Sequence, residues 1–315
     1  MGSALTKMRE QVVKALPKRR GYWARSWPLY VMYLPALIWL FLFCLYPFYG
    51  RIVAFQAYNP ALGFSRSPWV GLDNFRYAFS LPSFPRLVRN TVVIALSKML
   101  VLEFFAITAS LLLNEIRLSL LKRTVQSLLY IPYFLSWVVM AGIILDILSP
   151  QGLVDQFLRL VAFKMPFLLG DSSWFVFTLV STHVWKSLGW SMILYLAALT
   201  AIDPGLYEAA AIDGANRWRR ILHVTLPGMS TTVILIACLN FGNILSAGFE
   251  QILNLYNPIV YDTGDILDTY IYRAGLISAR FGLAGAIDLF KGVIGFALVL
   301  ISRRLASRLT GRQVI

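Results

Sequence analysis

Charge is what this sequence has least of: Asp, Glu, Lys and Arg make up only 14% of its 315 residues, against roughly 25% in soluble domains. Acidic residues are scarcest, 15 against 29 basic ones, which leaves a net charge of +14. Cysteine occurs twice. Cys44 and Cys238 each fall inside an apolar run, where a thiol behaves as a small hydrophobe, so neither a disulfide framework nor a cysteine metal knuckle is expected. The two histidines, His183 and His223, stand on different segments, and no HExxH occurs. No acid pair or Gly-flanked serine stands out either, so no catalytic or metal-ligating residue is expected. The dipeptide Gly-Lys is absent, which excludes a Walker A loop. The chain cannot hydrolyse ATP through that motif, and no cofactor of its own is expected.

What is present is apolar: 58% of the residues are hydrophobic. A helix needs roughly 20 predominantly apolar residues to cross a bilayer. Six segments qualify, at about 29–50, 88–113, 125–148, 174–201, 229–253 and 281–302. The fold class expected is therefore an all-α integral membrane protein with six transmembrane helices. The basic N-terminus suggests a signal peptide. The apolar run from Leu29 lacks a small-residue cleavage site, however, and is long enough to span, so it reads as a retained helix.

Basic residues set the direction. Lys7, Arg9, Lys14, Lys18, Arg19, Arg20 and Arg25 precede the first span. Arg117, Lys122 and Arg123 join spans two and three, Arg217, Arg219 and Arg220 join four and five, and Arg303, Arg304, Arg308 and Arg312 follow the sixth. The alternate loops are longer and poorer in basic residues, and they hold most of the loop aspartates. Both termini are thus expected in the cytoplasm of a multi-pass protein, with a basic tail at 1–28, a six-helix membrane domain at 29–302 and a short tail at 303–315. The positive charge serves topology and attraction to anionic lipid. Because it lies between apolar runs and not in one polar patch, no nucleic-acid partner is expected.

Within this apolar text, Glu208 to Pro227 reads EAAAIDGANRWRRILHVTLP. Asp203 is a candidate N-cap and Pro204 a first-turn residue, where a missing N–H costs nothing. Asp213-Gly214 offers a stop, Asn216 caps a second helix, and Pro227 is expected to mark where span five begins. The result is a helix–turn–helix over 203–228 on the cytoplasmic face. Its alanines leave the backbone approachable, so a partner's cleft can close around it.

The pattern Glu-Ala-Ala, three residues, Gly, nine residues, an aliphatic, one residue, Leu-Pro resembles the EAA loop of the membrane subunits of bacterial ABC importers. Glu208, Ala209, Ala210, Gly214, Leu226 and Pro227 fit that pattern as it stands, with Val224 in place of the usual Ile. The segments LYVMYLPALIWLFLFCLYPFYG, VGLDNFRYAF, RNTVVIAL, YIPYFLS and DPGLYEAAAIDGA extend the resemblance to the carbohydrate-uptake branch over nearly the whole chain. The text FEQILNLYNPIVYDTGDILDTYIYRAGL with the tail RRLTGR is similar to the subgroup for complex or acidic polysaccharide fragments, of alginate or aldouronate type.

The resemblance implies a type I importer permease of the bacterial cytoplasmic (inner) membrane, in a heterodimer with a second homologous permease. Two cytoplasmic ABC ATPases that hold ATP and Mg²⁺, and an external solute-binding protein, complete the expected assembly. Glu208, Ala209, Ala210, Asp213, Gly214, Leu226 and Pro227 are implied to couple the chain to its ATPase. The solute implied is an oligosaccharide of the acidic, alginate or uronate type, with a neutral oligosaccharide as the alternative. An ion-driven secondary carrier also suits six spans with buried charges, but it leaves the EAA pattern unexplained.

Polar residues inside spans are candidates for the solute path, because lipid makes them costly. Trp185, Lys186 and Ser187 lie about six turns before the EAA helix, where the resemblance places a solute site. Trp185 offers a stacking face. Lys186 can meet a solute carboxylate, pair with another span or snorkel to the interface. Asn240 and Asn243 share a helix face, suited to solute contact or to interhelical hydrogen bonding. Asp288 and Lys291, one turn apart, are expected to neutralise each other. Lys98 and Glu103 are too poorly placed for that, and Glu103 is expected to pair across helices.

Overall fold

The structure, a computed structural model, describes residues 19–160, 166–242 and 244–310; the side chains of 19–25 and 310 lie outside that description. Among these residues there is no strand, only an isolated antiparallel bridge between Gln56 and Trp69. By length and composition, Ser26–Phe55, Phe84–Glu115, Trp137–Leu160, Arg217–Gly242 and Phe281–Leu309 can cross a membrane. The bent pair Ser172–Thr200 with Pro204–Ile212 makes a sixth.

The chain divides into two compact units, Met1–Ile52 and Val53–Ile315. In the first, α1 (Arg19–Leu40) carries Pro28 and Pro35 and continues as a π-helix at Phe41–Leu45. Pro47 follows two residues later. A proline lacks the N–H for the carbonyl one turn back, and a wider π turn is one way a helix absorbs that loss.

In the second unit, α2 (Asp73–Ser80) leads into α3 (Phe84–Glu115). A break then separates α4 (Ser119–Tyr130) from α5 (Trp137–Leu148). The 125–148 segment, expected as one helix, is thus interrupted by a 3₁₀ turn at Ile131–Phe134. Pro132 is the second residue of that turn, and the Ser136 side chain caps α5 by accepting from Val139 N at 3.3 Å. After α6 (Leu153–Leu160), α7 (Ser172–Thr200) is capped by Asp171, which accepts from Ser173 N at 2.8 Å.

The short α8 (Pro204–Ile212) and α9 (Arg217–Arg220) follow, then α10 (Leu226–Gly242), α11 (Phe249–Leu255), α12 (Leu267–Tyr272) and α13 (Phe281–Thr310). Span five departs from the expectation at both ends. A π-helix at Ile221–Thr225 joins α9 to α10, so the helix runs unbroken through Pro227 from Arg217 to Gly242. Pro227 therefore sits inside the span and does not mark its start. At the far end the chain turns at 244–248 before α11 begins, where one helix to 253 had been expected. α13 passes residue 302 without a break.

Packing places α7 against α3 and α10 against α13. One apolar cluster, including Ile94, Met140, Phe175, Leu179, Ile244 and Ile252, fills the half of the bundle near the start of α7. A second, Ala106, Tyr195, Leu199 and Met229, fills the half near its end. A third unites α2, α3, α12 and α13 through Ala78, Leu87, Leu267 and Ile287.

Gly189 lets α7 approach α4 closely: a Cβ there lies 2.3 Å from the Leu129 carbonyl oxygen. Because that obstacle is backbone, Gly189→Leu is expected to force the two helices apart and cost about 1–3 kcal/mol, the usual scale of overpacking. A lower thermal unfolding midpoint of the detergent-purified protein measures it, and an unchanged midpoint contradicts the packing described.

The charged pairs differ from the expectation for span six. Lys291 bonds Asp268 of α12, not Asp288 one turn away on its own helix. Fixing α12 this way agrees with its other ties: Arg273 holds Asp265 at 2.6 Å, and Leu267 N donates to Thr91 Oγ1 of α3 at 3.0 Å.

Candidate functional site

Two places concentrate the chemistry. The first is the hairpin between α7 and span five. α8 bends by 68° from the axis of α7, and its start is the one local chemistry dictates. Asp203 Oδ1 accepts from Gly205 N at 2.9 Å, with Pro204 in the first turn. Its end is a Schellman closure: Ala215 N donates to Ala210 O at 2.9 Å and Gly214 N to Ala211 O at 3.1 Å. Gly214 takes the φ of +73° that this closure needs. Asn216 Oδ1 then accepts from Arg219 N at 2.9 Å and opens α9.

The two arms are cross-linked where Tyr207 and Thr225 hydroxyls meet at 3.1 Å. A Cβ on Gly228 lies 2.9 Å from Ile202, so the base of the hairpin is closely packed as well. Glu208, Ala209, Asp213 and Gly214 are exposed, Ala210 is half-buried, Leu226 is half-buried and Pro227 is exposed. Leu206, Ile212, Trp218 and Leu222 are exposed too, Ile212 at 87%. An exposed apolar rim around a fixed backbone is what a protein- or membrane-contacting surface presents.

The second place is a cavity of about 220 Å³ between α3, α7, α10 and the turn at 244–248, lined among others by Lys98, His183, Ser191, Asn240, Ser246 and Gly248. Along α7 it lies between the two apolar clusters, near the middle of the bundle. One wall is held by a chain of polar contacts across three spans. Glu103 accepts from Asn240 Nδ2 at 2.6 Å through one oxygen and from the Tyr195 hydroxyl through the other. Glu103 thus pairs across helices as expected, with neutral partners.

The residues singled out by sequence are not all brought together. Asn240 lines the cavity; Asn243 lies outside the described residues. Ser187 falls four residues after His183 and four before Ser191, so it shares their helix face, half-buried. Trp185, two residues from His183, points about 200° round the helix from it and is half-exposed on another face.

Lys186 is buried and committed elsewhere. Its ammonium donates to Tyr133 O at 2.9 Å, to Pro132 O at 3.3 Å and to Leu135 O. It also lies over the rings of Tyr133 and Trp137, at 5.6 and 5.4 Å from their centroids. It therefore closes the break between α4 and α5. Sequence reasoning passed over Lys98 and His183 as cavity residues. The signal available was their polarity within apolar spans, but which of the spans meet was not readable from either residue.

Residues 104–312 match the family described as the binding-protein-dependent transport system inner membrane component. The polygalacturonan/rhamnogalacturonan transport system permease protein YteP of Bacillus subtilis (strain 168) is 40% identical over 285 residues, covering 89% of this chain and 88% of that protein. Among solved structures, a bacterial ABC transporter involved in the import of the acidic polysaccharide alginate superposes with a TM-score of 0.86 at 35% identity, covering 92% of this chain and 98% of its counterpart. A bacterial alginate ABC transporter in complex with an alginate pentasaccharide-bound periplasmic protein gives 0.86 at 34% identity, covering 93% and 99%.

Proposed function

Because this chain belongs to the family of binding-protein-dependent transport system inner membrane components, we propose that it is the permease subunit for an oligosaccharide, of the acidic, uronate-containing kind. The observation that carries the coupling mechanism is the hairpin at 203–228: a capped, cross-linked lever fused to two spans, with exposed apolar residues at its tip. The chain itself is the transport component and not the ATPase.

In this reading both termini and the hairpin face the cytoplasm, and Glu208 to Gly214 enter a cleft of an ABC ATPase. A second homologous permease pairs with this one, each held by one of two ATPases. ATP and Mg²⁺ belong to those partners, while Leu226 and Pro227 join the lever rigidly to span five. When the ATPases close, the levers move together, and a cavity open to one side becomes open to the other. An external solute-binding protein delivers the saccharide. The solved complex of a similar transporter with its saccharide-bound periplasmic protein supports that partner.

For the path we place Asn240 and His183 on the cavity wall, with Ser187 on the same face of α7 as His183 and Asn243 three residues after Asn240 in the sequence. Trp185 is half-exposed on another face of α7, and Lys186 is engaged at the break between α4 and α5. The acidic preference draws support from the alginate and polygalacturonan systems named above. Stimulation of ATP hydrolysis by binding protein loaded with uronic-acid or neutral oligosaccharides tests it. The complete complex is expected to respond at least about tenfold better to the acidic ligand, a difference of about 1.4 kcal/mol. Equal stimulation contradicts the preference.

A further inference from the structure

Resting on the importer reading above, we infer that Lys98 is the residue that selects the solute's carboxylate. Three observations converge on it. Lys98 is 4% exposed and is one of the residues that line the 220 Å³ cavity. No carboxylate among the described residues forms a salt bridge with it. Its described hydrogen-bond partner is a backbone carbonyl, Ala247 O, at 2.7 Å.

A lysine has three donors, so that bond leaves two for something else. Glu103, the acid nearest along α3, forms no salt bridge with it; its oxygens accept from Asn240 and Tyr195. A buried ammonium without a counter-charge is costly, and nature generally retains one where a function uses it.

The surroundings suit a partly ionic, partly polar ligand. His183, Ser191, Asn240 and Ser246 share the cavity with Lys98. The cavity is large enough for a carboxylate, and Lys98 is among the residues on its wall. Beside it, Gln251 is fully buried and donates to Leu179 O and Thr182 Oγ1, both at 2.8 Å, while its Oε1 has no partner.

Gly248 brings these groups close: a Cβ built on it lies 2.8 Å from Lys98 Nζ and 3.6 Å from Gln251 Oε1. The Gln251 oxygen is sealed from the cavity, so the acceptors a solute hydroxyl can reach are the Ser191 and Ser246 hydroxyls, which share the wall with a cation that has no carboxylate partner among the described residues. A uronate ring presents both hydroxyl and carboxylate. Neutral sugars satisfy the acceptors and leave the cation unpaired, so they are discriminated against by the same group that favours the acid.

The alternative role is structural, anchoring the 244–248 turn through Ala247 O. Lys98→Gln separates the two, because the amide still donates to that carbonyl but carries no charge. Lys98→Met removes both. Binding of a short oligogalacturonate and of its fully methyl-esterified form to the complete complex in nanodiscs is the measurement.

The unaltered complex is expected to prefer the acid by about tenfold or more, the worth of one charge-assisted hydrogen bond. In Lys98→Gln that ratio falls to near one, chiefly through lost affinity for the acid, while the ester binds as before. A ratio unchanged in both variants overturns the inference, as does equal loss for both ligands. Binding of neither ligand by the unaltered complex tells against the importer reading itself, and Lys98 falls with it.

Discussion

Lys186→Met is expected to unfold the region around the α4–α5 break and to remove most of the folded protein from a detergent extract. The ammonium serves Tyr133 O and Leu135 O at a place where the 3₁₀ turn leaves them without helical partners. A fully buried carbonyl deprived of its donor costs about 1–3 kcal/mol; Tyr133 and Leu135 are half-buried, so the two together cost about 1–3 kcal/mol. The contacts over Tyr133 and Trp137 add about 0.5–2 kcal/mol.

A membrane domain with an ordinary stability of about 5–15 kcal/mol loses much of it. Lys186→Arg, which keeps the charge and the donors, is expected to recover part of the loss. Thermal unfolding of the purified protein reads both. If Lys186→Met melts as the unaltered protein does but loses uptake of acidic solute alone, the lysine serves the solute and not the break.

Glu208→Lys is expected to abolish transport while the protein remains folded and inserted. Glu208 is exposed, and among the described residues it forms no ion pair, so reversing it disturbs nothing within the chain. Across a protein interface a wrongly signed charge costs several kcal/mol, and each 1.4 kcal/mol is tenfold in affinity. Loss of ATPase co-purification and at least about a hundredfold fall in uptake are expected together. A charge change on the facing surface of the ATPase restores both. Retained uptake with Glu208→Lys contradicts the role given to α8.

The hairpin was legible in sequence because its determinants are local. Asp203, Pro204, Gly214 and Asn216 each act within four residues of themselves, through caps and a positive φ, and each is found in its expected place. Pro227 was misread because a proline's effect depends on whether the helix can widen before it. Here the π-helix at Ile221–Thr225 does so, and the span continues. Pro132 is the opposite case, where the chain breaks and a lysine from another helix repairs the carbonyls.

Long-range pairing was the least readable. Lys291 had an acid one turn away, and the fold instead gave it Asp268. Lys98 was weighed against Glu103 on its own helix, although what matters is that α3, α7 and α10 converge around it. Intervals along one helix fix which residues share a face, but they do not fix which face meets which helix.

The most direct test of the account is uptake into sealed vesicles that contain the whole complex: this chain, its partner permease and the two ATPases, with binding protein outside. The account predicts accumulation of acidic oligosaccharide that requires ATP inside and binding protein outside, and that Glu208→Lys abolishes. Accumulation driven by an ion gradient, without ATP or ATPase subunits, contradicts it.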